Sequence, residues 1–356
     1  MTQVVVCLDG LDPTYLEATA TPEWDGMAAV GAAGTCQGVV PSLTNVNNVS
    51  IVTGRFPEDH GITGNTVYNR EADELVYMEG AEFRRADTRF QLVEEPETTA
   101  ALVAKEKLEG MVGTGCDIVA SAESPPAWLS DAVGEPPGIY SGAASEWLLG
   151  AAEYVLKHRR PDLLYVSTTD VVPHKHAPGT PAATEWVEAI DTGLGRLRRI
   201  DDDIDLVATA DHGMSRKTRR IDLAAHLERA GYSATVIPLI RDRHTYHHQN
   251  LGGVAYVYLH EASASAGEWL ADIDGIDAVY ETAAAAERFY LPPDRIGDLM
   301  VLGTVGTVFG PIDGEARTDT VDLRSHGSVH ERRVPYVTTT GAELTHNLDA
   351  FDAVGR

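Results

Sequence analysis

The chain has 356 residues, 43% hydrophobic and 23% charged, with 33 Gly, 18 Pro and 3 Cys. That length and apolar content suit one large α/β core with a smaller appendage and exclude a disordered chain. With 54 acidic against 28 basic residues the formal net charge is -26, a field that repels nucleic-acid phosphates and anionic membrane surfaces and so excludes both as default partners.

The N-terminal MTQVVVCLDG carries no basic leader and reads as the first strand of a cytoplasmic protein. Nowhere does an apolar run approach the ~18 residues of a membrane span. VVVCLD (4–9) is the first of three apolar runs that finish in an aspartate; DLLYVSTTD (162–170) and IDLVATAD (204–211) are the others. Short β-branched runs between helical stretches predict buried parallel strands, and helices are expected over 98–109, 143–159, 182–200 and 221–230. Asp222 is placed to cap the last of these and Gly231 stands just past its end. This alternation predicts a layered α/β core with a mostly parallel sheet. Ligands of such sheets sit beyond the carboxyl ends of the strands, where Asp9, Asp170 and Asp211 would converge.

Between the first two runs, GTCQGVVP (34–41) predicts a strand, and Thr44 follows immediately before the apolar helical stretch of PSLTNVNNVSIVTG (41–54). A hydroxyl at a helix start suits an anion-binding nucleophile and equally suits a simple N-cap. Asn65, after the Gly-rich turn HGITG, is either a turn residue or an amide donor to an oxyanion. Segment 236–298 has a different texture: a His-rich RDRHTYHHQN, strand-like GVAYVYL, helical ASAGEWLADI and strand-like DAVYET. We read it as a small α+β cap inserted in a core formed by 1–235 and 299–356, with IGDLMVLG (296–303) resuming core strand character. His244, His247 and His248 of the cap are weak evidence for a third metal site and stay outside the candidate site.

Two of the Asp-ended runs have histidine company, Asp170 with His174 in STTDVVPHKH and Asp211 with His212 in TADHGM, and His326 follows later in RSHGSVH. Singly, these are ordinary turn or surface residues. Jointly, six carboxylate and imidazole ligands suit two divalent ions, Zn²⁺ first, with Mn²⁺ or Fe²⁺ also suited to the donor set. The partition expected is Asp170, His174 and His326 for one ion and Asp9, Asp211 and His212 for the other. Pro173 argues against a regular helix through 170–174, so that pair is expected on a loop. The three cysteines are odd in number and widely spaced, which predicts small buried hydrophobes rather than a disulfide framework. Lysine occurs only at 105, 107, 157, 175 and 217, an acid-rich, lysine-poor composition that suits a halophilic habitat.

The order Asp9, Thr44, Asp170, His174, Asp211, His212, His326 resembles the ligands and nucleophile of the alkaline phosphatase superfamily. Within its nucleotide pyrophosphatase/phosphodiesterase-like branch, the chain is most similar to the phosphonoacetate hydrolases. LDGLDPTY, PSLTNVNNVSIVTGRFPEDHGITGN, STTDVVPHKHAPG, ADHGM, ERFYLPPDRIGDLMVLG and LRSHGSV carry that resemblance over most of the chain. It implies a di-zinc hydrolase with a three-layer core and a cap, cleaving the carbon–phosphorus bond of phosphonoacetate to phosphate and acetate through phospho-Thr44. Asn65 would contact a phosphonyl oxygen, and Lys105 and Lys107 in LVAKEKLEG would hold the substrate carboxylate; unaided, the two lysines read equally as solvated helix charges. Two departures stand out: Thr66 where an aromatic usually follows the asparagine, and Ser328 where a second glycine usually follows the last histidine. The partner implied is a small anionic phosphonate, with a homodimer as the assembly considered. The rivals are a phosphodiesterase or nucleotide pyrophosphatase sharing every ligand, and a non-catalytic module that binds metal or phosphonate.

Overall fold

A computed structural model describes residues 2–94, 97–243 and 249–355. Its main sheet has seven strands in the order Ala32–Gln37, Arg333–Thr338, Ile204–Thr209, Thr2–Cys7, Leu163–Ser167, Thr99–Val103 and Ile118–Ser121. The last five are mutually parallel, whereas Arg333–Thr338 runs against both of its neighbours. All three apolar runs that end in aspartate occupy adjacent central positions, with Cys7 registered against Ser167 on one side and Thr209 on the other. Central parallel strands are covered on both faces, which is why their sequences are continuous apolar runs. Helices Ala143–His158 and Pro181–Arg198 pack on one another, and helix Thr44–Thr53 packs with Glu106–Val112 and Ala350–Ala353. The result is a three-layer α/β core. No helix among the described residues is long and apolar enough to cross a membrane.

Three local expectations are corrected. The segment 98–109 is not one helix: Thr99–Val103 is a fully buried core strand and the helix begins at Glu106. Its composition is compatible with either state, and burial on both faces decides for the strand. The stretch after Asp170 is not a loop but a one-turn helix, Val171–Lys175, with Asp170 at its N-cap. Pro173 is tolerated because first-turn N–H groups have no intrahelical acceptor in any case. Finally, Leu299–Gly303 does not return to the main sheet; it joins a second, four-stranded sheet in the order Ala234–Pro238, Val254–Leu259, Leu299–Gly303, Ile276–Glu281. Strand period explains its apolar character, since successive side chains face opposite sides. Val254, Tyr256, Met300 and Leu302 join the main core, while Ala255, Val257, Leu299 and Val301 pack in a second cluster with Leu223, Leu227 and Leu270.

The second sheet is tied to the main body beside the sheet's carboxyl edge. Asn65 N–H donates to Leu239 O at 3.1 Å, Tyr256 Oη to Thr63 O at 3.3 Å, and Thr63 Oγ1 to Arg295 O at 3.0 Å.

Candidate active site

The parallel register places three strand ends side by side, and within two or three further residues the chain delivers Asp9, Asp170 and Asp211, all buried. Backbone donors hold two of these turns. Asp9 N–H donates to Thr168 Oγ1 at 3.0 Å, and Asp211 Oδ1 accepts from Gly10 N–H at 3.1 Å and His212 N–H at 2.9 Å. Gly10 has φ +74°, and a Cβ there would lie 3.0 Å from Asp170 Cβ, so a side chain would collide with the cluster.

The three histidines are oriented in a common way. Nδ1 of His174 faces Arg324 O at 2.8 Å, Nδ1 of His212 faces Gly213 O at 2.9 Å, and Nδ1 of His326 faces Ser42 O at 2.7 Å. A carbonyl only accepts, so each Nδ1 carries the hydrogen, the tautomer in which Nε2 presents a lone pair inward. Those lone pairs point at carboxylates: His174 Nε2 is 2.9 Å and His326 Nε2 3.8 Å from Asp170 Oδ2, and His212 Nε2 is 3.4 Å from Asp9 Oδ1 and 3.6 Å from Asp211 Oδ2. Burial, then His212 and His174, hold the His326 imidazole well below the usual histidine value. Burial, then Asp170 and Asp211, push the Asp9 carboxyl well above its usual value.

Acceptors facing acceptors in a buried space repel unless a cation lies among them, and Asp9 Oδ1 is buried with no hydrogen-bond partner. The residues therefore fit divalent ions, with the outward Nδ1 bonds acting as the supports that orient ligating imidazoles. Among the described residues, two groups have ligand atoms within 4.8 Å of one another: Asp170, His174 and His326, and Asp9, Asp170 and His212. The first is the expected set. The second differs from the expected set in holding Asp170 in place of Asp211, so Asp170 belongs to both groups, while Asp211 Oδ2 stands 3.6 Å from His212 Nε2.

Thr44 is not the N-cap of its helix. Leu43 is, and Thr44 is the first residue of Thr44–Thr53, with its Oγ1 3.2 Å from His212 Nε2. Because that nitrogen bears a lone pair, the threonine hydroxyl donates into the carboxylate–imidazole cluster rather than capping its own helix. Residues that the sequence reading passed over hold it there. Asn48 Nδ2 donates to Thr44 O at 2.9 Å and to Asp211 Oδ2 at 3.3 Å, while Tyr165 Oη donates to Asn48 Oδ1 at 2.7 Å. Asn47 Oδ1 accepts from Val39 N–H at 2.8 Å and Asn347 Nδ2 at 2.9 Å, and its Nδ2 faces the carbonyls of Val39, Pro41 and Leu43, each at 3.3 Å. The signal available was three asparagines, Asn45, Asn47 and Asn48, spaced among the apolar Val46, Val49, Ile51 and Val52 of one short helix.

Asn65, Lys105 and Lys107 line one small cavity with Thr44, Asn45 and His326. Asn65 Nδ2 donates to Ile240 O at 3.2 Å, which leaves its second amide hydrogen for a ligand, and its Oδ1 is buried without a partner. Lys105 sits at the N-cap position of helix Glu106–Val112. Burial opposes its charge, but Asp170, Asp242 and Asp9 outweigh that and hold the ammonium above the usual lysine value. Lys107 goes the other way: burial and then Lys105 hold it below the usual value despite Asp242. Its Nζ is 2.6 Å from Asp242 Oδ2. Thr66 is buried at the start of strand Thr66–Asn69 and does not line this cavity. Ser328 has a task of its own, forming a capping box with Glu331. His244, His247 and His248 lie outside the described residues.

Over residues 3–328 the chain matches the family described as type I phosphodiesterase / nucleotide pyrophosphatase. The structure is similar to phosphonoacetate hydrolase from Sinorhizobium meliloti 1021 in its complexes with phosphonoacetate, TM-score 0.91, and phosphonoformate, TM-score 0.90; both are 33% identical and cover 99% of this chain and 94% of that one. Murine ectonucleotide pyrophosphatase / phosphodiesterase 5 shares the fold at a TM-score of 0.71 and 16% identity, covering 99% of this chain and 93% of that one. Among curated proteins, venom phosphodiesterase of Naja atra is 25% identical over 222 residues, 59% of this chain and 26% of its own length. An ectonucleotide pyrophosphatase/phosphodiesterase of Caenorhabditis elegans is 25% identical over 316 residues, 86% of this chain and 39% of its own length. The chain thus spans between about a quarter and two-fifths of these curated relatives. It belongs to the type I phosphodiesterase / nucleotide pyrophosphatase family, within the alkaline phosphatase superfamily.

Proposed function

We propose that this family member is a di-zinc hydrolase that cleaves the carbon–phosphorus bond of phosphonoacetate to phosphate and acetate through a phospho-threonine at Thr44. Asp170, His174 and His326 would hold one ion and Asp9, Asp211 and His212 the other, with Asp170 reaching both. Bound there, the ions supply Lewis acidity, lowering the hydroxyl pKa of Thr44 and offsetting the charge of the phosphonyl oxygens. The observation that carries the reading is that Thr44, Asn65 and both closely spaced lysines line one cavity.

The chain's own residues then divide the work. Thr44 Oγ1, having lost its proton, attacks phosphorus as the P–C bond breaks, and the electron pair leaves on carbon. The neighbouring carboxylate delocalises that pair as an enolate, which takes up a proton to become acetate. Asn65 contributes an amide N–H to a phosphonyl oxygen. Lys105 and Lys107 hold the carboxylate, where charge grows most in the transition state. Water then cleaves phospho-Thr44, releasing phosphate and restoring the hydroxyl. The net reaction consumes one water per phosphonoacetate.

The second reading, a phosphodiesterase, draws on the curated relatives and would share Thr44 and all metal ligands. The described residues lining the inner cavity include two lysines and no Phe, Tyr or Trp, which favours a small carboxylated substrate over a nucleotide base. The test compares phosphate release from phosphonoacetate with hydrolysis of a bis-aryl phosphodiester, with chelator and with added Zn²⁺. An electrostatic donor of this kind is worth ~3–4 kcal/mol. Lys105→Ala should therefore abolish most phosphonoacetate turnover and largely spare an aryl phosphate ester. Equal loss on both substrates would overturn the carboxylate clamp, and turnover of the diester alone would establish the second reading.

A further inference from the structure

The inner cavity offers only about 20 Å³, room for a single water molecule and too little for a phosphonate. Beyond it opens a vestibule of about 710 Å³ lined by Glu79, Glu106, Glu109, Glu123 and Tyr140. Lys105, Lys107 and Asp242 line both spaces, so the Lys107–Asp242 ion pair stands between them. Both side chains of that pair are largely buried, at 17% and 11% exposure, and their contact is 2.6 Å. Asp242 is held from behind: its N–H donates to Asn250 Oδ1 at 2.8 Å, and its Oδ1 accepts from Arg243 N–H at 2.8 Å. Arg243 in turn pairs with Glu79 at 3.0 Å and covers the Tyr77 ring. Two residues earlier, Ile240 O receives the Asn65 amide at 3.2 Å.

We propose that Asp242 is an internal carboxylate that competes with the substrate's own for Lys107, so that a carboxylated phosphonate is admitted by exchanging one carboxylate for the other. The inference rests on the reading of Lys107 as a carboxylate ligand given above. In the structure the lysine is paired with Asp242 and the cavity has room for a single water molecule. A substrate carrying a carboxylate replaces the lost partner, whereas one without it strands a nearly buried ammonium, which is costly. After the P–C bond has broken, Asp242 regains Lys107 as acetate departs, so the same residue promotes product release. Asp242 is thus a specificity-determining residue beyond the lysine pair itself.

The test is a double-mutant cycle on phosphonoacetate binding, in a Thr44→Ala background that prevents turnover. Asp242→Asn should tighten binding about 10-fold when Lys107 is present and less than about 2-fold when Lys107 is replaced by Met. A gain of equal size in both backgrounds would mean general charge repulsion, and weaker binding would mean that Asp242 merely positions Lys107; either result overturns the exchange. If phosphonoacetate binds none of the proteins, the proposed function fails instead. The pair is then judged by peptide-mapped reductive methylation of Lys107, which must run faster in Asp242→Asn; an unchanged rate overturns the exchange as well.

Discussion

Lys217 is the one lysine buried completely, and it offers the sharpest test of how the site is held. Its side chain is 0% exposed and that of Glu331 1%, and Nζ lies 2.9 Å from Glu331 Oε1 and 3.0 Å from Val305 O. Glu331 also binds Ser215 Oγ and accepts from Ser328 N–H at 3.1 Å, while its backbone carbonyl takes the N–H of Gly213 at 2.6 Å. It therefore joins the loop after His212 to the loop after His326. Replacing Lys217 by Met removes the charge partner and leaves a buried carboxylate. Such a loss costs ~3–5 kcal/mol, at least a fifth of the ~5–15 kcal/mol typical of a whole domain. Burial works against the Glu331 carboxylate, but Lys217 and the hydroxyl and backbone donors hold it below the usual glutamate value. A depressed carboxylate contributes stability above its unfolded value of ~4.3, and that contribution is lost as pH falls through the lower folded value. In Lys217→Met the carboxylate loses its counter-charge and favours its proton. The deficit measured by urea unfolding should thus be full at neutral pH and shrink toward pH 4. Lys217→Met combined with Glu331→Leu should recover most of it. A deficit below about 1 kcal/mol at neutral pH, or one that does not shrink on acidification, would refute the reasoning.

Thr44→Ala should abolish turnover with Zn²⁺ affinity changed less than about 10-fold, and Thr44→Ser should retain activity; calorimetry alongside phosphate release reads both. Asn47→Leu leaves Val39 N–H and Val39 O without their buried partner, while the Pro41 and Leu43 carbonyls keep the backbone N–H groups of Leu43 and Asn47. It should cost ~2–4 kcal/mol in unfolding and lower kcat more than it raises KM, since it displaces Thr44 rather than the substrate contacts. Gly10→Ala combines an unfavourable φ with a Cβ against Asp170, and should weaken metal retention as followed by a chromophoric chelator. Stripping the metal should lower the melting temperature by several degrees, because three buried carboxylates then share one space; an unchanged melting curve would argue against an ion between them.

Much of the site was legible because its chemistry is local in sequence. Asp9, Asp170 and Asp211 each end an apolar run, and adjacency of those runs in the sheet is enough to gather them. Where tertiary burial competes with local preference the sequence misleads. The sequence predicts one helix over 98–109, where Thr99–Val103 is a core strand, and core strand character over 296–303, where Leu299–Gly303 pairs in the second sheet, because an apolar buried segment reads alike in either setting. Pro173 was a weaker breaker than expected because a single helical turn needs none of the hydrogen bonds it forfeits. Asn47, Asn48 and Asn347 stayed invisible because their partners lie in remote segments: Asn347 reaches Asn47 Oδ1 at 2.9 Å across the chain.

The sequence by itself determined the α/β class and supplied the candidate donor atoms and the hydroxyl among them, since residue type sets ligand chemistry and strand periodicity sets which ends can meet. Only the tertiary structure decided that Thr44 faces His212 instead of capping its helix, that Asp170 belongs to both ligand groups, and that Lys107 is engaged by Asp242 from a segment 135 positions away. The physical reason is common to all three. Each depends on distances of about 3 Å between groups far apart in the chain, and such distances are set by packing and not by composition.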